Sequence, residues 1–212
     1  MIKWEQTPKV WLFDYDLTLY SYKESYVLQG LDNNITKFVQ QKLQISQSEA
    51  DLLRQDFCAR YGTTLAGLIA HHQVRPEDYF DFIHNEPGIK MPPKAPHKAE
   101  WLSQVPGQLA VFTNARWDWA QKGLQAMGLA QFFPTIIDIQ MMAWKCKPDP
   151  EVYELVEEKV QAQGAEIVFF EDKVENLATA QERGWQTILV HPEIPTEHPW
   201  TGAVAEFTDV AL

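Results

Sequence analysis

Five short apolar runs, at residues 9–13, 109–112, 135–139, 167–170 and 187–190, are separated by stretches of helical periodicity. This alternation constrains the fold more than any other feature of the chain. Short apolar runs with no polar face suit strands buried on both sides, as in a parallel sheet covered by helices. Helical patterns at 98–104, 117–127, 150–163 and 174–183 supply the covering layers. The expectation is an α/β fold, a three-layer Rossmann-like core around a parallel sheet.

The segment between the first two runs reads differently. From about residue 20 to residue 91 the apolar residues recur at helical spacing, with almost no strand pattern. Candidate helices fall at 34–43, 47–60, 64–72 and 76–85. Pro76 followed by Glu77 and Asp78 has the chemistry of a helix start: a proline that needs no N–H partner, then acids facing the positive end of the dipole. The stretch from Glu86 through Pro87, Gly88, Pro92 and Pro93 to Pro96 reads as a linker. The expected organisation is an α/β core made of residues 1–19 and 93–212, with a helical cap at 20–92 inserted after the first strand. A chain of 212 residues, 45% of them hydrophobic, has enough apolar mass for both.

Four polar clusters carry the candidate chemistry. The run Val10-Trp11-Leu12-Phe13 passes directly into Asp14-Tyr15-Asp16-Leu17-Thr18. Val111-Phe112 is followed by Thr113-Asn114 just before a helix, where a hydroxyl and free backbone N–H groups can hold an anion. Lys147 stands in Lys145-Cys146-Lys147-Pro148-Asp149-Pro150, at the threshold of another helix. The run ending at Phe170 leads into Glu171-Asp172, with Asn176 placed to brace the loop. Alone, each is an ordinary turn, helix cap or solvated lysine. Together they stand at strand exits or helix entries of one sheet, where open α/β sheets bind ligands. Asp14, Asp16, Glu171 and Asp172 would crowd one edge, and like charges about 4 Å apart repel by about 4 kcal/mol near a protein surface. A hard divalent cation with oxygen ligands offsets that repulsion, with Lys147 supplying further positive charge. Mg²⁺ suits such a site, since it takes one or two carboxylates, waters and a substrate phosphate.

Composition narrows the partners. Eighteen basic residues face 29 acidic ones, a net charge of −11, which argues against a nucleic-acid surface but not against a small anionic ligand. Cys58 and Cys146 have no zinc-site spacing and read as reduced thiols. Met1-Ile2-Lys3-Trp4-Glu5-Gln6 lacks a signal peptide's apolar run, and no segment approaches the roughly 20 apolar residues that span a bilayer. The expectation is a cytoplasmic protein with no membrane or nucleic-acid partner.

The order of the clusters resembles the haloacid dehalogenase superfamily over nearly the whole chain: Asp14-x-Asp16-x-Thr18, then Thr113, then Lys147-Pro148, then Glu171-Asp172. The inserted helices are similar to that family's cap. The resemblance implies a Mg²⁺-dependent phosphatase acting on a small phosphorylated metabolite. In it Asp14 is the nucleophile and Asp16 the acid/base. The metal is held by Asp14, the Asp16 carbonyl, Asp172 and Glu171, directly or through water. Thr113, Lys147 and the Asn114 N–H bind the phosphoryl group. Glu171-Asp172-Lys173 departs from the family's usual serine at the third place, so Lys173 weakens the metal site or reaches the substrate.

Phe13-Asp14-Tyr15-Asp16-Leu17-Thr18-Leu19-Tyr20, Tyr61-Gly62-Thr63-Thr64-Leu65-Ala66-Gly67-Leu68 and Phe112-Thr113-Asn114-Ala115 resemble the pyrimidine 5′-nucleotidase branch. That closer likeness implies UMP or CMP as substrate, with Thr18, Tyr61, Thr64 and His72 as candidate contacts. Tyr22, Tyr26, Arg116 and Trp117 are further candidates. Sugar phosphatase and phosphomutase activities use the same aspartates and stay open, and a non-catalytic phospho-ligand binder ranks behind them.

Overall fold

The computed structural model describes residues 2–85 and 87–212. Met1 and Glu86 lie outside the described residues, so the N-terminal and linker readings are followed from Ile2 and Pro87. Six strands form one parallel sheet: β1 (Val10–Phe13), β2 (Gln108–Phe112), β3 (Thr135–Ile137), β4 (Ile167–Glu171), β5 (Gln186–Val190) and β6 (Gly202–Val204). Their spatial order is β3-β2-β1-β4-β5-β6. The chain winds outward one way through β2 and β3, then returns to the other side of β1 at β4. That reversal opens a crevice beyond the carboxyl ends of β1 and β4. Phe13 is in register with Val111 on one side and Phe170 on the other, so Asp14 and Glu171 leave the sheet next to each other.

Both faces of the sheet are buried, as the unbroken apolar runs require. Val10, Leu12, Ile167 and Phe169 face one core, while Trp11, Phe13, Val168 and Phe170 face the other. Alternation within a strand is the two-residue period of side chains. On the first face lie α7 (Pro150–Val160) and α8 (Val174–Glu182), through Val152, Tyr153, Val156 and Leu177. On the second lie α5 (Pro96–Leu102) and α6 (Trp117–Met127), through Leu102, Trp119 and Leu124. Phe13 stacks on Phe170 with ring centroids 4.6 Å apart. Each such side chain, fully buried, contributes about 1.5–3 kcal/mol, so the strands beneath the crevice are anchored from both sides.

Between β1 and β2 run α1 (Tyr26–Leu43), α2 (Gln47–Tyr61), α3 (Thr64–His72) and α4 (Pro76–Asn85). α2 opens with a Ser46–Glu49 capping box and closes on Gly62, whose φ of 81° lies in the left-handed region. α1 begins two turns before the periodicity suggests. Its first turns carry Gly30, a poor helix former, but a Cβ there would meet the Gly88 carbonyl at 2.4 Å. Glycine lets the helix press against the returning chain. β3 stops at Ile137 because Asp138 turns away, accepting the N–H groups of Trp117 and Met141 at 2.8 and 2.9 Å. β6 comes from a tail without readable periodicity, being only three residues long. Cys58 and Cys146 are free thiols. Among the described residues, no helix is long and apolar enough to cross a membrane.

Candidate active site

The ammonium of Lys147 stands at the centre of the crevice, 2% exposed. It donates to Asp14 Oδ1 at 2.7 Å, to Glu171 Oε2 at 2.7 Å and to the Phe112 carbonyl at 2.8 Å. Its three N–H bonds thus tie the ends of β1, β4 and β2 together. Burial works against its charge, but Asp14 and Glu171 outweigh that and raise its pKa. The loop that delivers Lys147 is clamped by Asn114. The Asn114 side chain accepts from the Lys147 N–H at 2.8 Å and donates to the Lys147 carbonyl at 3.2 Å. Thr113, buried just after β2, accepts the Ala115 N–H on its hydroxyl at 3.0 Å and lines the cavity.

Glu171 is saturated. Oε2 accepts from Lys147 and from Asn176 at 2.8 Å, and Oε1 accepts the N–H groups of Asp172 and Lys173, both at 3.1 Å. Burial raises its pKa, but Lys147 and these donors win and hold it low. Asp14 and Asp172 are in the opposite condition. Burial, then the Glu171 charge, pushes Asp14 up to about 7 and Asp172 up to about 9. Ligand oxygens of Asp14, Glu171 and Asp172 all lie within 4.8 Å of one another. An oxygen-only donor set with this much uncompensated negative charge fits a hard divalent cation. Since both Glu171 oxygens are engaged, Asp14 and Asp172 are the better placed direct ligands, and Glu171 positions Lys147 and the Asp172 loop.

Asp16 is held apart from that cluster. Its Oδ1 accepts from the Tyr20 hydroxyl at 2.6 Å and from Trp119 Nε1 at 3.2 Å. Both donors fall on one oxygen, and Asp16 lines the cavity described below. Burial raises the pKa of Asp16, while Tyr20 and Trp119 pull it back in part. Neither Tyr20 nor Trp119 carries a local signal in the sequence. Trp119 reaches Asp16 across 103 positions of chain, through the docking of α6 on the sheet.

A cavity of about 240 Å³ lies between the helical insertion and these groups. Asp14, Asp16, Thr113 and Lys147 form its floor, while Arg54, Thr64, Tyr79 and His84 line its walls. A wider groove of about 920 Å³ shares Cys58, Gly62, Asn114, Lys147, Lys173 and Asn176 with it. Lys173 therefore stands where the two meet. Partial burial opposes its charge, but Asp172, Glu171 and Asp14 outweigh that and raise its pKa.

Of the cap candidates, Thr64 lies on the inner cavity. Tyr61 lines only the outer groove, where its hydroxyl meets His71 Nε2 at 2.5 Å. His72 is exposed at the last turn of α3 and lines neither cavity. Thr18 is buried at 1% exposure and stands outside the lining, with a hydroxyl that makes no hydrogen bond. Tyr22 bonds Asp172 at 3.1 Å, and Tyr26 and Trp117 are exposed. Arg116 bonds Asp81 of α4 at 2.8 Å. The cavity residues that sequence reasoning passed over are Arg54, Asp32 and His84. Arg54 bonds Asp32 at 2.6 Å and Thr36 at 2.5 Å from α2 to α1, a pairing that helical periodicity cannot reveal.

A sequence profile of the haloacid dehalogenase-like hydrolases matches residues 8–184. Phosphate metabolism protein 8 of Saccharomyces cerevisiae is 25% identical over 206 residues, covering 85% of this chain and 61% of the yeast protein. The chain thus spans about three-fifths of that relative's length. A crystallised dehalogenase with an intermediate complex has a TM-score of 0.62 at 16% identity, covering 96% of both chains. The HAD-hydrolase YfnB of Bacillus subtilis bound to magnesium has a TM-score of 0.61 at 19% identity, covering 96% of this chain and 97% of that one. At such identities the structural likeness speaks to the fold alone.

Proposed function

The chain belongs to the haloacid dehalogenase-like hydrolases, and within that family we propose that it is a Mg²⁺-dependent phosphatase of small phosphate monoesters, with pyrimidine nucleoside monophosphates as substrates. The observation that carries the phosphatase reading is Asp16, fixed by Tyr20 and Trp119 with one oxygen left over. Halide is a weak base and departs without a proton, so a dehalogenase needs only the first aspartate. An alkoxide is a strong base and needs a proton donor as it leaves.

In the proposed mechanism an Asp14 oxygen attacks phosphorus, and the bond from phosphorus to the ester oxygen breaks. Asp16 delivers its proton to that departing oxygen. The resulting aspartyl-phosphate divides one difficult displacement into two. Asp16, now ionised, takes a proton from a water that attacks phosphorus, and Asp14 is released as a carboxylate. Lys147, Thr113 and the Asn114 N–H hold phosphoryl oxygens, since phosphoryl transfer rests mainly on positioning and charge stabilisation. Mg²⁺ held by Asp14, Asp172 and the Asp16 carbonyl would neutralise charge on the transferring group.

Support for the cation comes from the all-oxygen donor set of Asp14, Glu171 and Asp172. Support for a nucleoside leaving group comes from the nucleotidase-like motifs and from the cavity walls, where Tyr79 and Phe80 stand beside Thr64 and Arg54. The test is phosphate release with Mg²⁺ from UMP, CMP, purine nucleotides and sugar phosphates. Release from UMP and CMP first, abolished by EDTA and by Asp14→Asn, is the expected result. Preference for sugar phosphates would overturn the pyrimidine assignment, and release unaffected by Asp14→Asn would overturn the mechanism.

A further inference from the structure

His84 is the cap residue most closely tied to the machinery beneath it. It lies on the last turn of α4, is 7% exposed, and lines the cavity with Asp14 and Asp16. Its ring stacks on Trp119, with centroids 5.1 Å apart and planes 17° from parallel. That is the same Trp119 whose Nε1 donates to Asp16 Oδ1. Phe80, one turn earlier, packs against the histidine with ring centroids 5.4 Å apart. His84 Nδ1 is buried and lies 3.6 Å from Asp118 Oδ1, beyond hydrogen-bond length.

The surrounding contacts make this a seam between insertion and core. Arg116, at the start of α6, donates to Asp118 from Nε at 2.7 Å and from an Nη at 2.9 Å. Its other Nη donates to Asp81 of α4 at 2.8 Å, and its guanidinium lies 5.5 Å from the centre of the Phe80 ring. The last two turns of α4 therefore grip the first turn of α6, where Trp119 stands. Any opening between cap and core at this seam lifts the His84 ring from Trp119.

We infer that His84 is a positioning residue, carried by the cap, whose ring holds the Trp119 indole on Asp16. The acid/base carboxyl is then presented to the leaving oxygen only while α4 is docked. Substrate entry and proton delivery are coupled through one stacked pair. This rests on the acid/base role of Asp16 proposed above.

Leaving-group dependence separates such a role from simple packing. Expulsion of nitrophenolate needs little protonation, whereas expulsion of an alkoxide needs it fully. The experiment compares kcat/KM, which reports only the steps up to phosphorylation of Asp14, for p-nitrophenyl phosphate and for an alkyl phosphate monoester in wild type, His84→Ala and His84→Phe. His84→Ala is expected to lower the alkyl-to-aryl ratio of kcat/KM by roughly tenfold or more. His84→Phe, which keeps a ring on Trp119, is expected to restore most of it. The indole N–H resonance of Trp119, assigned with Trp119→Phe, should move in His84→Ala and in Asp16→Asn, and much less in His84→Phe. An unchanged ratio in His84→Ala, or an equal fall on both esters, overturns the inference. If the wild type hydrolyses neither ester, the phosphatase reading fails. The indole signal then decides, and its indifference to His84→Ala overturns the inference on its own.

Discussion

Lys147 is the residue on which the arrangement turns, because a single buried ammonium separates Asp14 from Glu171. Removing one partner of a buried ion pair leaves the others uncompensated and typically costs about 3–5 kcal/mol. Lys147→Met is expected to lose about that much stability in urea unfolding with EDTA present. The loss should grow with pH. Asp14 already binds its proton more tightly in the folded protein than in the unfolded chain, since its pKa is raised to about 7. A folded state that holds more protons loses stability as pH rises. Without Lys147 that imbalance widens, so a deficit independent of pH would contradict the electrostatic account. Asp14, Thr113 and Glu171 could be placed at one sheet edge from the sequence because each stands at the end of an apolar run, where sequence neighbours are also spatial neighbours. Trp119 and His84 could not, because their contacts arise from helix docking across long separations, and Tyr20, four positions from Asp16, stands in a turn that has no periodicity to read. For the same reason the sequence position of His72 says nothing about where α3 ends relative to the cavity.

At the scale of elements, α6 matters most, since it carries Trp119 and backs the loop that follows β1. Gly123 on this helix faces Tyr15, the residue between Asp14 and Asp16. A Cβ there would fall 1.5 Å from the Tyr15 hydroxyl oxygen. Tyr15 is fully buried, so it cannot swing into solvent to make room. Gly123→Ala is expected to destabilise by about 1–3 kcal/mol through overpacking. It should also lower kcat by displacing the backbone between Asp14 and Asp16, which substrate kinetics on the folded fraction would reveal. Wild-type kcat in a destabilised variant would show that the loop is insulated from the helix behind it. The strands and core helices were legible because buried parallel strands and amphipathic helices carry opposite periodicities. β6 was not, since three residues cannot display a period, and the first turns of α1 were hidden by Gly30.

For the whole molecule, the sheet brings three carboxylates to one edge in a chain of net charge −11, and a divalent cation bound there would offset that charge locally. Protons compete for Asp14 and Asp172, whose pKa values are raised to about 7 and about 9. Mg²⁺ affinity is expected to rise as pH increases through this range, with protons released on binding. Calorimetry in buffers of different ionisation enthalpy measures that release. Its absence would mean that both groups are already ionised without the cation. That helices alone run between β1 and β2 was legible from the lack of strand pattern there, whereas the seam through Arg116, Asp81 and His84 depends on tertiary packing alone.

The central claim is that Asp14 becomes phosphorylated. It is tested most directly by mixing the Asp16→Asn variant with p-nitrophenyl phosphate, whose leaving group departs with little protonation, and Mg²⁺, quenching in acid, and mapping the product by mass spectrometry. Asp16→Asn slows the water-activating step, so a phosphoryl adduct should accumulate on Asp14, and an Asp14→Asn, Asp16→Asn double variant should show none. Turnover of the ester with no adduct on Asp14, or an adduct on another residue, would contradict the account.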